Sequence, residues 1–123
     1  MKVSLITSAL VVGAMVCAAV SLAVAPQPGK VYIGDIKSSP FTMHVSLTVA
    51  TTGKSATFTY LCGTGRPPTT VYGMPIDSTG HFSHTAAAWK MAGHFTSATT
   101  GFISLNSIAC GGSKGSSNFK LKQ

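Results

Sequence analysis

Glutamate is absent from this chain, and Asp35 and Asp77 are its only acids. Glycoside hydrolysis usually needs two carboxylates across the scissile bond. Asp77 is already accounted for as the first residue of a turn, so that chemistry has no second group to work with. No P-loop or dinucleotide fingerprint occurs. Helix-favouring charged residues are scarce as well. Thr, Ser and Gly stand where a cytosolic chain carries Glu and Lys, a composition that favours strands and turns over helices. Cysteine is limited to Cys17, Cys62 and Cys110.

What is present begins with an apolar N-terminus. Met1-Lys2 is followed by an uncharged run from Val3 to Ala25, with its most apolar stretch at Leu10 to Val20. This reads as a secretory signal over residues 1–25, leaving 26–123 as one β domain. Ala23-Val24-Ala25 has the A-x-A form but is followed by Pro26, which makes cleavage after Ser21-Leu22-Ala23 the cleaner choice. Two other readings stand beside cleavage. The run is long enough to be an uncleaved anchor, and Cys17 could carry a lipid, although Val16 sits where a lipobox wants a small residue. Each reading places the domain in the secreted or extracytoplasmic envelope compartment, and a membrane is a partner only if the segment is retained or Cys17 is lipidated.

Once Cys17 leaves with the signal, Cys62 and Cys110 remain as a pair in an oxidising compartment. They are expected to form a disulfide; the alternative is two free buried thiols. About a hundred residues make a small domain that is marginal without such help.

Period-two alternation dominates the mature chain. Phe41, Met43, Val45, Leu47 and Val49 alternate with Thr42, His44, Ser46 and Thr48, and Ala56, Phe58, Tyr60 and Cys62 return after the turn Thr51–Lys54. Each is a half-buried antiparallel strand. Further strands are expected at Lys30–Ile36 (an edge), Val71–Ile76, His81–Thr85, Trp89–Phe95 and Gly101–Cys110, with a short tail strand around Phe119 and Leu121. Gly63–Thr70 and Gly111–Ser117 read as loops. Asp77-Ser78-Thr79-Gly80 fits a type I turn. The sum is an all-β antiparallel sandwich or flattened barrel of about eight short strands.

Ala50-Thr51-Thr52-Gly53 and Cys62-Gly63 recur as Ala98-Thr99-Thr100-Gly101 and Cys110-Gly111 at the same spacing. Two equivalent hairpins joined by the bridge would explain this, and so would convergence of Thr-rich hairpins. The parity conflicts in the second copy. Ile103 and Leu105 oppose Phe102, Ile108 and Cys110, which calls for a bulge or for burial on both faces.

Gly80-His81-Phe82-Ser83, Met91-Ala92-Gly93-His94-Phe95-Thr96-Ser97, Thr100-Gly101-Phe102-Ile103 and the closing Cys110 together resemble a type of small secreted bacterial β-domain with one disulfide. Such domains are β-sandwiches, generally of unassigned function. The resemblance implies fold and export, and no site residues.

His44, His81, His84 and His94 are the candidate metal ligands. His81 and His84 are three apart, so on a strand they face opposite sides and do not converge. No metal and no cofactor is therefore expected. Lys114, Lys120, Lys122 and Arg66 are the leading contacts for an anionic partner in a chain of net charge +7. Tyr32 and Tyr72 are candidates for an exposed binding face, and Trp89, Phe41, Phe58, Tyr60, Phe82 and Phe95 for the core. Sparse charge and export argue against nucleic acid. The chain is expected to be a non-enzymatic binding module with an unknown extracellular or envelope partner. The alternative is a cationic effector acting on anionic envelope components.

Overall fold

The computed structural model describes residues 24–38, 41–63 and 65–123. All but the last two residues of the predicted signal, and Cys17 with them, lie outside these. Among the described residues there are eight strands: β1 (Val31–Lys37), β2 (Thr42–Val49), β3 (Ser55–Cys62), β4 (Thr69–Pro75), β5 (His81–Thr85), β6 (Trp89–Phe95), β7 (Thr100–Ser107) and β8 (Ser113–Leu121). They form one antiparallel sheet in the order β4-β3-β2-β1-β8-β7-β6-β5. Each strand lies beside its sequence neighbour except across β4 and β5, where the nearly closed sheet stays open. The expected all-β class holds, in its flattened-barrel form.

The alternation read from β2 and β3 is the packing that forms. Met43, Val45, Leu47 and Val49 point inward, opposite Cys62, Tyr60, Phe58 and Ala56. The interior is filled by two groups of rings. Phe58, Tyr60 and Trp89 pack together towards the bridged end, with centroids 5.0–6.0 Å apart. Tyr32, Phe82, Phe95 and Phe119 fill the other end. Glycine makes room for two of these rings. Phe82 lies opposite Gly93 and Phe119 opposite Gly101, and a Cβ on either glycine would run into the facing ring.

Cys62 and Cys110 form the expected disulfide, with Cα atoms 5.6 Å apart. Cys110 does not arrive on a strand. β7 ends at Ser107, and a single 3-10 turn, Ile108–Cys110, follows. That turn resolves the parity conflict: Ile103, Leu105 and Ser107 face inward along β7, Phe102 and Ile108 are exposed, and the turn swings Cys110 back inside. Neither a bulge nor two-sided burial is needed. Ser107 Oγ accepts from Cys110 N–H and bonds the buried Tyr60 hydroxyl at 2.9 Å, so the turn is tied to the core.

Four expectations are corrected. Lys30–Ile36 is not an edge, because β1 lies between β2 and β8. Tyr32 is therefore fully buried and offers no binding face; its hydroxyl donates to the Ala98 carbonyl at 2.6 Å and accepts from Gln27 N–H. The segment expected as a loop through Ser117 is strand from Ser113, because β8 turns small residues inward, among them Ser113 and Gly115. Gly115 sits where a Cβ would come within 3.0 Å of Ile36 Cγ2. β4 begins at Thr69 and carries a bulge: Ala56 and Phe58, two apart, face Met74 and Val71, three apart, and Gly73 takes the positive φ of 64° that this requires.

Candidate functional site

The three hairpin ladders β5–β6, β6–β7 and β7–β8 line up their outward residues in rows across four strands. One row is His81, His94, Phe102 and Asn118. The next is Ser83, Ala92, Ser104 and Ser116, and the third is Thr85, Lys90, Asn106 and Lys114. The middle row carries only small side chains and lies lower than its flanks. It forms the floor of a trough with rings on one wall and ammonium groups on the other.

Two hollows of about 570 Å³ and 720 Å³ share Ser83, Ala92 and Ser104. The first includes Asp77, His81, His94 and Phe102, with no lysine or arginine. The second includes Lys90 and Lys114, with no acid. Same-face rows on a strand are spaced by about 7 Å, and four strands span about 14 Å. The trough is therefore wide enough for a chain molecule lying across the strands.

Asp77 anchors the corner beside His81. Its Oδ1 accepts from Thr79 Oγ1 at 2.7 Å, Thr79 N–H at 2.8 Å and His81 N–H at 3.0 Å. The expected turn is present, with Gly80 at φ 82°. The Thr79 hydroxyl foremost, then the backbone N–H groups of His81 and Thr79, hold the Asp77 carboxyl below its ordinary range. Its folded pKa thus lies below the unfolded value of about 3.9. The stabilisation is fully present above that value and is lost as pH falls through the folded pKa. Asp77→Ala should therefore lower the urea midpoint at neutral pH. The gap to the parent should close on acidification below about pH 4; a gap constant down to about pH 2 would contradict the assignment.

The other candidates are dispersed. His84 faces inward against Trp89, with centroids 5.0 Å apart, while His81 faces outward, so the two diverge as expected. His44 pairs with Asp35 across β1 and β2 at 2.7 Å, an exposed pair of the kind that adds little stability. Arg66 lies 4.5 Å above the Phe41 ring. Lys120 and Lys122 lie towards the opposite end of β8 from Lys114. Of the four cations named from sequence only Lys114 lines the trough, and Lys90, outward at the start of β6, joins it. Tyr72 is 80% exposed on the edge strand β4, apart from the trough.

Among the described residues no group of three or more His, Cys, Asp or Glu side chains converges. The bridge is consistent with an extracytoplasmic location. No protein-family model matches the chain, and searches of curated proteins and of solved structures returned no match.

Proposed function

We propose that this is a non-enzymatic secreted or envelope-associated binding module whose ligand is an anionic glycan laid along the trough of β5–β8. The observation that carries the reading is the three-row face itself. A floor of Ser83, Ala92, Ser104 and Ser116 lets a chain approach the sheet. Lys90 and Lys114 supply charge for its acidic groups, Asn106 and Asn118 supply amides for its hydroxyls, and Phe102 supplies an apolar surface for a sugar face. Aromatic and polar groups mixed in this way suit recognition better than a uniformly charged surface does.

The reading that competes is a cationic effector acting on anionic envelope components through overall charge, which net +7 favours. Charge position separates them. In affinity measurements with polygalacturonate, and with neutral dextran as control, Lys90→Ser/Lys114→Ser should weaken binding about tenfold or more and flatten its salt dependence. Lys30→Ser/Lys54→Ser, equal in charge change but away from the trough, should leave it within about twofold. Equal losses from both pairs, or equal binding of vesicles rich in phosphatidylglycerol by both, would favour the effector reading and overturn this one.

A further inference from the structure

The ring wall of the trough holds a second arrangement that the glycan reading does not use. His81 and His94 face each other across β5 and β6. One step along, Phe95 N–H donates to the Gly80 carbonyl at 3.0 Å. Bonded and non-bonded pairs alternate along an antiparallel ladder, so His81–His94 is a non-hydrogen-bonded pair. That is the type whose Cα atoms lie about 4.5 Å apart and whose side chains come closest. The rings are 4.9 Å apart between centroids and 22° from parallel.

A relay behind His81 decides which of its nitrogens is free. Thr79 Oγ1 donates its one proton to Asp77 at 2.7 Å, so its oxygen can only accept from His81 Nδ1, 3.0 Å away. His81 therefore carries its proton on Nδ1 and presents the Nε2 lone pair outward. A carboxylate, acting here through a hydroxyl, orients an imidazole in this way in metal sites. The surroundings suit a cation. The hollow holds Asp77 and no lysine or arginine, in a protein of net charge +7.

We propose that His81 and His94 form an open two-imidazole site for a divalent transition ion, copper above all, with water completing its coordination. Imidazole suits copper, nickel and zinc, and copper stands highest in the divalent affinity order. Binding requires the His94 ring to turn out of the stacked pose, while His81 keeps its bond to Thr79, until Nε2 of His81 and a free nitrogen of His94 each lie about 2.0–2.1 Å from one ion. His94 is half-buried on the outward face of β6, so its rotation does not displace the core. With two protein ligands the ion exchanges freely and does not support the fold, unlike a closed four-ligand site.

The test is calorimetric titration of the disulfide-intact protein with CuCl2 and then ZnCl2 in a weakly coordinating buffer, with proton NMR of the four histidines. One copper should bind per chain, more tightly than zinc, broadening His81 and His94 and sparing His44 and His84. His81→Gln and His94→Gln should each abolish the event while circular dichroism stays unchanged. Thr79→Val leaves both ligands in place but frees the tautomer, and should weaken binding about tenfold. Copper binding that survives His94→Gln, that broadens His44 as strongly, or that exceeds one per chain overturns the proposal, as does absence of binding. No polymer enters this titration, so its failure leaves the glycan reading standing, and the reverse holds.

Discussion

Cys62→Ser should cost the domain about 4 kcal/mol of unfolding free energy, the chain-entropy value for cysteines 48 residues apart. Small domains have net stabilities of about 5–15 kcal/mol, so this is a large share. The topology says where the loss would be felt. The β1–β8 ladder registers only two residue pairs, Tyr32 with Leu121 and Ile33 with Lys120. Across the sheet from it, β4 and β5 are unpaired. These two seams divide the barrel into a four-stranded half from β1 to β4 and another from β5 to β8. Cys62 ends β3 in one half and Cys110 follows β7 in the other. The bridge is a clamp across the division. Urea unfolding of the oxidised parent, Cys62→Ser and Cys62→Ala/Cys110→Ala should show both variants shifted by a similar amount. Hydrogen exchange should rise first along β1 and β8. A loss of only a few tenths of a kcal/mol would refute the clamp, since surface substitutions do as much.

The same division explains what the sequence disclosed and what it concealed. Faces of β2 and β3 were legible because apolar and polar residues alternate without exception from Met43 to Val49 and from Ala56 to Tyr60. The cysteine pair followed from a count. The recurrence of Ala-Thr-Thr-Gly before each cysteine suggested equal hairpins, yet ten residues separate the paired Leu47 and Phe58, whereas five separate the equivalent Phe95 and its partner Gly101. The shorter connection shifts β7 against β3 and reverses its parity, and the 3-10 turn is what lets Cys110 still reach the interior. The first part of β8 gave no hydrophobic signal, because its inward residues are Ser113, which is fully buried, and Gly115, where a Cβ would come within 3.0 Å of Ile36 Cγ2. The trough escaped notice for a different reason. Its rows join residues from four strands: the registers of β6–β7 and β7–β8 together place Lys90 and Lys114 on either side of Asn106, and that of β5–β6 sets His81 against His94.

Phe119→Ala should destabilise the fold by about 3–5 kcal/mol, the range for removing a buried phenyl ring. Phe119 is 3% exposed and meets Phe95 and Tyr32 edge-on, with centroids 5.2 Å and 5.8 Å apart. Its ring lies over Gly101, whose missing side chain is the space that the ring occupies. The site has little means of collapse. Backbone faces it from β7, and Tyr32 is fixed by its hydrogen bonds to Ala98 and Gln27, so the lost ring leaves a void. Gly101→Ala tests the same contact from the other strand. The added methyl would meet the ring and stand 2.6 Å from the His94 carbonyl, an overpacking that costs about 1–3 kcal/mol. Apolar voids of this kind stay dry and accept small aromatic molecules. Benzene should therefore raise the midpoint of Phe119→Ala and leave that of the parent unchanged. Stabilisation of the parent by benzene would reveal an interior cavity able to hold a ligand, and would move the search for function from the outer trough to the inside of the barrel. With two clusters of rings filling that interior, the expected result is compatible with the proposal that a ligand lies on the outer face of β5–β8.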